Sequence, residues 1–375
     1  MLKDYFHVMP LKKNISHECK DTNPFTVFKA LLGNDLHLSR IRLISLFITA
    51  LCKVKSVNFV KVSAGFASPS LASSCLRRIQ RFMAEAELPM KIVSLLIFSI
   101  LPISGRLILV MDRTNWKFGQ KNINILMLGV SYRNIAIPLM FRMLDKQGNS
   151  STAERISLMR DFMDWFGRDS IDCLLADREF VGVKWLAFLN ENHIRYHIRI
   201  RNNFKVFVPR KQMEIKVSHL FNQLGASQCR HYQHIVKMGG ELCYLSAAKI
   251  MADGKPELLI LVSFNKPDQA LSYYRERWQI ETLFRGMKSS GFNIEDTHVT
   301  DLERLEKLLL LTMIAFVWCY RVGDYLDRQI KPIKIKKHGR RAKSVFKYGL
   351  DYISECLLSG VNKLKINIIQ ILSCT

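Results

Sequence analysis

The sequence predicts a mixed α/β chain: helices come first, then a sheet with crossover helices that a strand-rich insertion interrupts. Three observations lead there. Roughly the first hundred residues carry apolar positions at helical spacing. From Arg106 the texture changes to short apolar runs in the order three strands, helix, strand, helix, strand. Residues 202–265 then break this order with strand-like segments and turn residues, after which long helical patterns resume. A chain of 375 residues has room for two or three such units, each able to bury a core, at about 150 residues per unit.

The elements follow in order. His37 to Val54 is helical, with apolar positions at helical spacing at Leu38, Ile41, Ile44, Leu46, Phe47, Ile48 and Leu51. Gly65 and Pro69 mark a loop. Leu71 to Met83 is a second helix, which puts Leu76, Ile79 and Met83 on one face and Arg77, Arg78 and Arg81 on the other. Such a basic face suits phosphates or base edges, and equally suits a solvated surface. Leu107 to Met111 is an apolar strand ending at Asp112. Asn124 to Tyr132 and Ile135 to Leu144 are two further strands joined by turn chemistry at Arg133-Asn134. Ser151-Thr-Ala-Glu154 is a capping box that opens a helix to Phe166. Ile171 to Ala176 is a strand ending at Asp177, Val181 to Glu191 a helix, and Arg195 to Arg201 a strand. The insertion turns at Pro209, Gly225, Gly239-Gly240 and Gly254. Helices are then expected from about Asp268 to Ser289 and from Thr300 to Arg328.

Charge narrows the function. Against 32 Asp and Glu stand 56 Lys and Arg, a net charge of +24, while 49% of residues are hydrophobic. That balance excludes a disordered polycation and favours a folded protein with a polyanionic partner, nucleic acid before an acidic membrane face. Eight basic residues without an acid follow Asp327: Arg328, Lys331, Lys334, Lys336, Lys337, Arg340, Arg341 and Lys343. They suit nucleic acid, or a solvated loop. Met1 to Pro10 has no apolar signal region, and the apolar run Leu308 to Tyr320 is too short to span a bilayer, so a cytoplasmic protein is expected. The nine cysteines are scattered without a CxxC pair, as reduced core cysteines would be. Cys229, His231 and His234 lack a second ligand pair at zinc-finger spacing.

Two acids stand out. Asp112 and Asp177 each close an apolar strand and precede an Arg, so they can converge at the ends of neighbouring strands. Converging carboxylates repel unless a cation lies between them, and hard oxygen donors suit Mg²⁺ or Mn²⁺. Strand-end Asp residues also simply cap loops. The helix after the insertion adds a third acid. Tyr274, Arg277, Glu281 and Lys288 lie at offsets 0, 3, 7 and 14, within roughly 60° of one another on an α-helix, with Arg285 near the stripe. An acid flanked by cations suits a metal ligand beside phosphates. An i,i+4 pair of Arg277 with Glu281 on an exposed stripe is the simpler alternative. Asp172 competes with Asp177 as the partner of Asp112 but is read as a loop residue at a strand start, and Glu179 is read as a supporting or Arg-pairing group rather than a ligand.

Together these residues resemble the DDE transposases of bacterial insertion sequences, above all the insertion-sequence-four family with its Tyr-x2-Arg-x3-Glu-x6-Lys signature. Asp112-Arg-Thr-Asn-Trp, Asp177-Arg-Glu-Phe-Val-Gly and the segment Lys337 to Leu350 are similar to that family, as is Leu76-Arg-Arg-Ile-Gln-Arg-Phe82 to its amino-terminal DNA-binding segment. The resemblance covers most of the chain.

It implies an RNase H-like catalytic core in which Asp112, Asp177 and Glu281 bind two Mg²⁺ ions, with Mn²⁺ as a substitute. It implies cut-and-paste transposition by strand cleavage, a DNA hairpin and strand transfer. DNA is the expected partner, as terminal inverted repeats and as target, bound by a homodimer in a synaptic complex of a bacterial, nucleoid-associated protein, with no membrane partner. Tyr274, Arg277, Lys288 and Arg285 would contact DNA at the cleavage site. Arg77, Arg78 and Arg81 would bind it in the first unit, and Lys336, Lys337, Arg340 and Arg341 near the end. The implied units are a helical DNA-binding domain at 1–105, core at 106–201, insertion at 202–265, core again at 266–345, and a helical, dimerising segment at 346–375. The family stacks a flipped base on a Trp of the insertion, but residues 202–265 contain none; Phe204, Phe207, Phe221, Tyr232 and Tyr244 are the aromatic substitutes. Two rivals share these features: another RNase H-like nuclease, and a basic DNA-binding protein whose acids are relics.

Overall fold

The computed structural model describes residues 24–101, 103–252, 254–337, 339–359 and 366–372. The segment Met1 to Pro10, read above for a signal, and the first 23 residues of the helical unit lie outside them, as do 360–365 and 373–375 of the final segment.

Five helices come first: α1 (Pro24–Leu32), α2 (Leu38–Val54), α3 (Phe59–Ala64), α4 (Ala72–Glu85) and α5 (Met90–Ser99). His37 caps α2, its ring nitrogen accepting from the Ser39 amide. On α4 Ile79 and Met83 are buried as the spacing predicts, together with Cys75 and Phe82, whereas Leu76 is only half-buried; Arg77 and Arg81 are exposed and Arg78 is half-buried.

The sheet begins with β1 (Leu107–Phe118), β2 (Lys121–Tyr132) and β3 (Ile135–Met143), which run antiparallel. The β2–β3 turn is Arg133-Asn134, with φ of 48° and 66°. Two left-handed residues in a two-residue loop match the twist of the flanking strands. Helix α6 (Thr152–Phe166), opened by the Ser151/Glu154 capping box, leads to β4 (Ile171–Ala176), and α7 (Val183–Glu191) leads to β5 (Tyr196–Ile200). Both strands are parallel to their inner neighbour, so the order is β3-β2-β1-β4-β5. Three antiparallel strands followed by two parallel ones, with helical crossovers, are the RNase H-like arrangement.

The insertion holds β6 (Lys205–Val208), β7 (Met213–Lys216), β8 (Cys229–His231), β9 (Val236–Met238), β10 (Glu241–Ala252) and β11 (Lys255–Ser263). It is continuous with the core, because β11 pairs antiparallel with β5 from Ile260 opposite Ile200 to Ser263 opposite His197. The strands therefore form one sheet of 11 rather than two separate sheets.

Two departures from the sequence reading bear on the site. Asp112 does not close its strand: β1 runs on to Phe118 against β2, and only the parallel partner β4 stops, after Ala176 opposite Met111. The expected helix from Asp268 to Ser289 is broken into α8 (Ala270–Arg275), a 3₁₀ turn (Glu276–Trp278) and α9 (Gln279–Met287). The Ser131 hydroxyl of β2 holds that turn, lying 3.0 Å from a Glu276 carboxylate oxygen and 2.9 Å from the Gln279 amide oxygen. Ser289-Ser290-Gly291 then ends α9, since these residues favour turns over helix.

Helix α10 (Leu302–Tyr325) is buried nearly all round, from Leu308 to Tyr320, which explains its apolar run. No helix among the described residues is long and apolar enough to cross a membrane. It crosses α11 (Val345–Ser359) so closely that a Cβ on Gly349 would lie 1.8 Å from the Cys319 carbonyl oxygen, so only glycine fits. Of the cysteines described, Cys52, Cys75, Cys173, Cys243 and Cys319 are buried free thiols, as expected of core residues.

His197 on β5 is fully buried. Its Nδ1 lies 2.9 Å from the Ser263 hydroxyl, and its Nε2 is buried without a partner. Burial, then the charge of Arg195, pushes its pKa down to about 4. The unfolded chain takes up this proton near pH 6.5, whereas the folded chain resists until about pH 4. The stability this site contributes is present above about pH 6.5 and is lost as pH falls toward 4. The melting temperature of the native chain is therefore expected to fall more steeply from pH 7 to pH 4.5 than that of His197→Gln; parallel curves would contradict it.

Candidate active site

The site forms where β4 ends and β1 continues. Met111 and Ala176 are the last parallel pair, so Asp112 and Asp177 each stand one residue beyond the same level. Each carboxylate is turned back by its own backbone: Asp112 Oδ1 accepts from the Arg113 amide at 2.7 Å, and Asp177 Oδ1 from the Arg178 amide at 2.7 Å. Side chains alternate along β1, which sends Asp112 to one face and Arg113 to the other. Arg113 is occupied there by Glu179 at 3.2 Å and Asn124 at 3.0 Å. Glu179 is thus an arginine partner, as expected. Asp172, within β4, pairs with Arg195 at 3.4 Å and accepts from the Tyr273 hydroxyl at 3.0 Å.

The broken helix covers the Asp112 face. Arg277, in the 3₁₀ turn, reaches Asp112 Oδ2 with Nη1 at 3.3 Å and Glu281 Oε1 with Nη2 at 3.1 Å. Tyr274 donates to Asp177 Oδ1 at 3.3 Å, and burial pushes its pKa up, so the hydroxyl keeps its proton. Two side chains of one helical segment thereby gather acids from β1, from the residue that follows β4, and from α9. The i,i+4 pair foreseen as the simple alternative does form, but Arg277 is only 8% exposed and extends the pair to Asp112. Burial, above all else, raises the Asp112 pKa to about 6; the Arg113 amide and Arg277 oppose it, and Asp177 and Glu179 add to it.

Lys288 is not part of this group. It follows the end of α9 with ψ of −109°, and its Nζ lies 2.8 Å from Glu295 and 3.3 Å from the Asn115 carbonyl oxygen, over the Trp116 ring. The stripe assumed an unbroken helix, and the turn at 276–278 and the stop at 287 remove that premise. Arg285 is exposed on α9. Arg77, Arg78 and Arg81 stay on α4. Lys336, Lys337, Arg340 and Arg341 are exposed in a tight turn where Lys336 N donates to Arg340 O at 2.8 Å, and Arg341 pairs with Asp327 at 2.8 Å. Of the five insertion aromatics, Phe221 is buried at 3% exposure and cannot offer a ring face.

Sequence reasoning missed Ser131, Glu276 and Gln279, which fix the turn that aims Arg277, and Glu295, which holds Lys288; none carries a local signal, since each works through a partner far along the chain. It also passed over Trp278, 61% exposed with its ring 5.9 Å from the Arg277 guanidinium.

One guanidinium pairs with both Asp112 and Glu281 while Asp177 is held by the neutral Tyr274 hydroxyl, so negative charge is left over, and hard carboxylate oxygens fit a divalent cation. Among the described residues no three acids close around a single point, and Arg277 is what stands between Asp112 and Glu281.

Residues 104–318 match the family described as the transposase DDE domain. The chain belongs to that family. DDE transposase domains act in DNA transposition and use divalent metal ions. Among solved structures the chain is similar to the piggyBac transposase synaptic complex with hairpin DNA, determined by cryo-EM, at 14% identity and a TM-score of 0.48 over 94% of this chain and 86% of that one. No curated protein matches it.

In this DDE domain the Tyr274–Asp177 hydrogen bond links the helix to the end of β4. Tyr274→Phe is expected to lower unfolding stability by about 1–2 kcal/mol, read as a lower urea midpoint at unchanged slope. An unchanged midpoint would mean that the bond contributes nothing.

Proposed function

We propose that this chain is a cut-and-paste DNA transposase of the insertion-sequence-four kind, with Asp112, Asp177 and Glu281 as ligands of two Mg²⁺ ions, for which Mn²⁺ substitutes. The observation that carries the reading is the gathering of those acids by Arg277 and Tyr274 at the level where β4 stops. When bound, the ions supply Lewis acidity, which activates an attacking water or hydroxyl and stabilises the leaving oxygen.

The chain's own residues do the rest. Asp112 and Asp177 are anchored by their following amides, so their oxygens are oriented in advance. Tyr274 remains a hydrogen-bond donor at neutral pH. Arg277 pairs with two of these acids, and Lys288 lies further along the same segment against Glu295; both cations suit the phosphates on either side of the scissile bond. Water attacks the scissile phosphorus and releases a 3′-hydroxyl. That hydroxyl attacks the opposite strand, closing a DNA hairpin and freeing the flanking DNA, and after hairpin opening it attacks the target. Phe204, Phe207, Tyr232 and Tyr244 remain as rings for a flipped base.

The basic surfaces divide the DNA between them. Arg77, Arg78 and Arg81 on the helical unit (1–105), and Lys336, Lys337, Arg340 and Arg341 near the end of the core, take the backbone of terminal repeats and target, with Arg285 beside the cut. Two copies would act together in a synaptic complex, associated with the bacterial nucleoid.

The test is cleavage of duplexes made from the DNA bordering this coding region, where inverted repeats are expected. Asp112→Ala, Asp177→Ala and Glu281→Ala should each lose Mg²⁺-dependent cleavage by on the order of a thousandfold or more while still shifting the duplex in a gel. A Glu281→Ala variant that cleaves normally would refute the assignment. A chain that cleaves but cannot join a pre-cut 3′-hydroxyl end to target DNA would be a nuclease instead.

A further inference from the structure

The guanidinium of Arg277 is committed twice over. It is the cation paired with Asp112 and also the cation paired with Glu281, among the described residues, and it cannot stay on both oxygens once a divalent ion takes them. We propose that Arg277 is the resident counterion of the metal-free site, which yields the two carboxylates to divalent cations when a DNA phosphate draws it away. This rests on the reading of Asp112, Asp177 and Glu281 as metal ligands.

Four features of the arginine fit the role. Its contacts, 3.3 Å to Asp112 and 3.1 Å to Glu281, are longer than the 2.7–2.9 Å of tight charge-assisted bonds, so they hold the acids without locking them. Its Nε is buried and has no partner, so the group is not satisfied where it lies. Its guanidinium carbon is 5.7 Å from the Tyr274 ring and 5.9 Å from the Trp278 ring, two faces along which a planar cation can slide. Trp278 is 61% exposed, so that path leads from the acids to solvent, where a strand would lie.

Two consequences follow from Coulomb's law. A guanidinium and a divalent ion sharing the same oxygens repel, so Arg277 weakens metal binding in the free protein. A phosphate that engages Arg277 removes that repulsion, so DNA tightens metal binding, and metal tightens DNA binding by the same factor. The site thereby fills only when a strand is present, which restrains cleavage chemistry in its absence.

Mn²⁺ titration of the full chain, followed by electron paramagnetic resonance of the free ion, tests this with and without a terminal-repeat duplex. Without DNA, Arg277→Gln should bind Mn²⁺ roughly tenfold or more tightly than the native chain, and Arg277→Lys, which cannot span both acids, should fall between. Adding the duplex should tighten Mn²⁺ binding to the native chain and change the Gln variant little. In EDTA the Gln variant should melt lower than the native chain, since its acids repel, and Mn²⁺ should raise its melting temperature by more. Equal or weaker Mn²⁺ binding by Arg277→Gln, or a variant that Mn²⁺ does not stabilise, would overturn the proposal. Asp112→Asn separates the two levels. If native Mn²⁺ binding survives that change, the metal-ligand reading itself fails; if binding needs Asp112 but ignores Arg277, only the counterion role fails.

Discussion

A single guanidinium ties the α/β sheet to the helix that follows the insertion. Arg277 spans Asp112 on β1 and Glu281 on α9, positions 165 and 4 residues away along the chain. That contact is possible only because β4 ends at Ala176 while β1 continues, which opens the sheet at one level and leaves Asp112 and Asp177 side by side. The Ser131 contacts with Glu276 and Gln279 fix the 3₁₀ turn from which the arginine reaches inward. Remove the offset between the strands and the arginine has nothing to bridge.

Much of the fold was legible because its signals are local. The Ser151/Glu154 box, the Arg133-Asn134 turn and the apolar runs of β1, β4 and β5 each declare themselves within a few residues. The extent of β1 was not, because Asp112 interrupts the apolar run while the strand's hydrogen bonds to β2 go on regardless of side-chain polarity. The union of insertion and core was hidden for a related reason: pairing of β11 with β5 joins segments some 60 residues apart, and no periodicity records it.

The residues of the candidate site were legible as a group, and their geometry less so. Asp112, Asp177, Tyr274, Arg277 and Glu281 are all brought together. Their spacing suggested a straight stripe, whereas a kinked helix delivers them, and the kink turns Lys288 away toward Glu295 and Trp116. Helical-wheel reasoning fails at 3₁₀ turns because the rotation per residue changes there. The net charge of +24 likewise points to a polyanion without revealing that a few of the 32 acids lie within that positive field, one of them with its pKa raised to about 6 by burial. Long-range charge and local acid differ in kind: the first is a surplus spread over the chain, and the second a minority of carboxylates whose mutual repulsion calls for cations.

The central claim is that these three carboxylates form one divalent-cation site. Anomalous scattering from crystals of the protein bound to a terminal-repeat duplex and grown with Mn²⁺ tests it most directly. Manganese peaks are expected within bonding distance of Asp112, Asp177 and Glu281, with the Arg277 guanidinium displaced from the acids. Manganese bound elsewhere, with Arg277 still spanning Asp112 and Glu281, would contradict it.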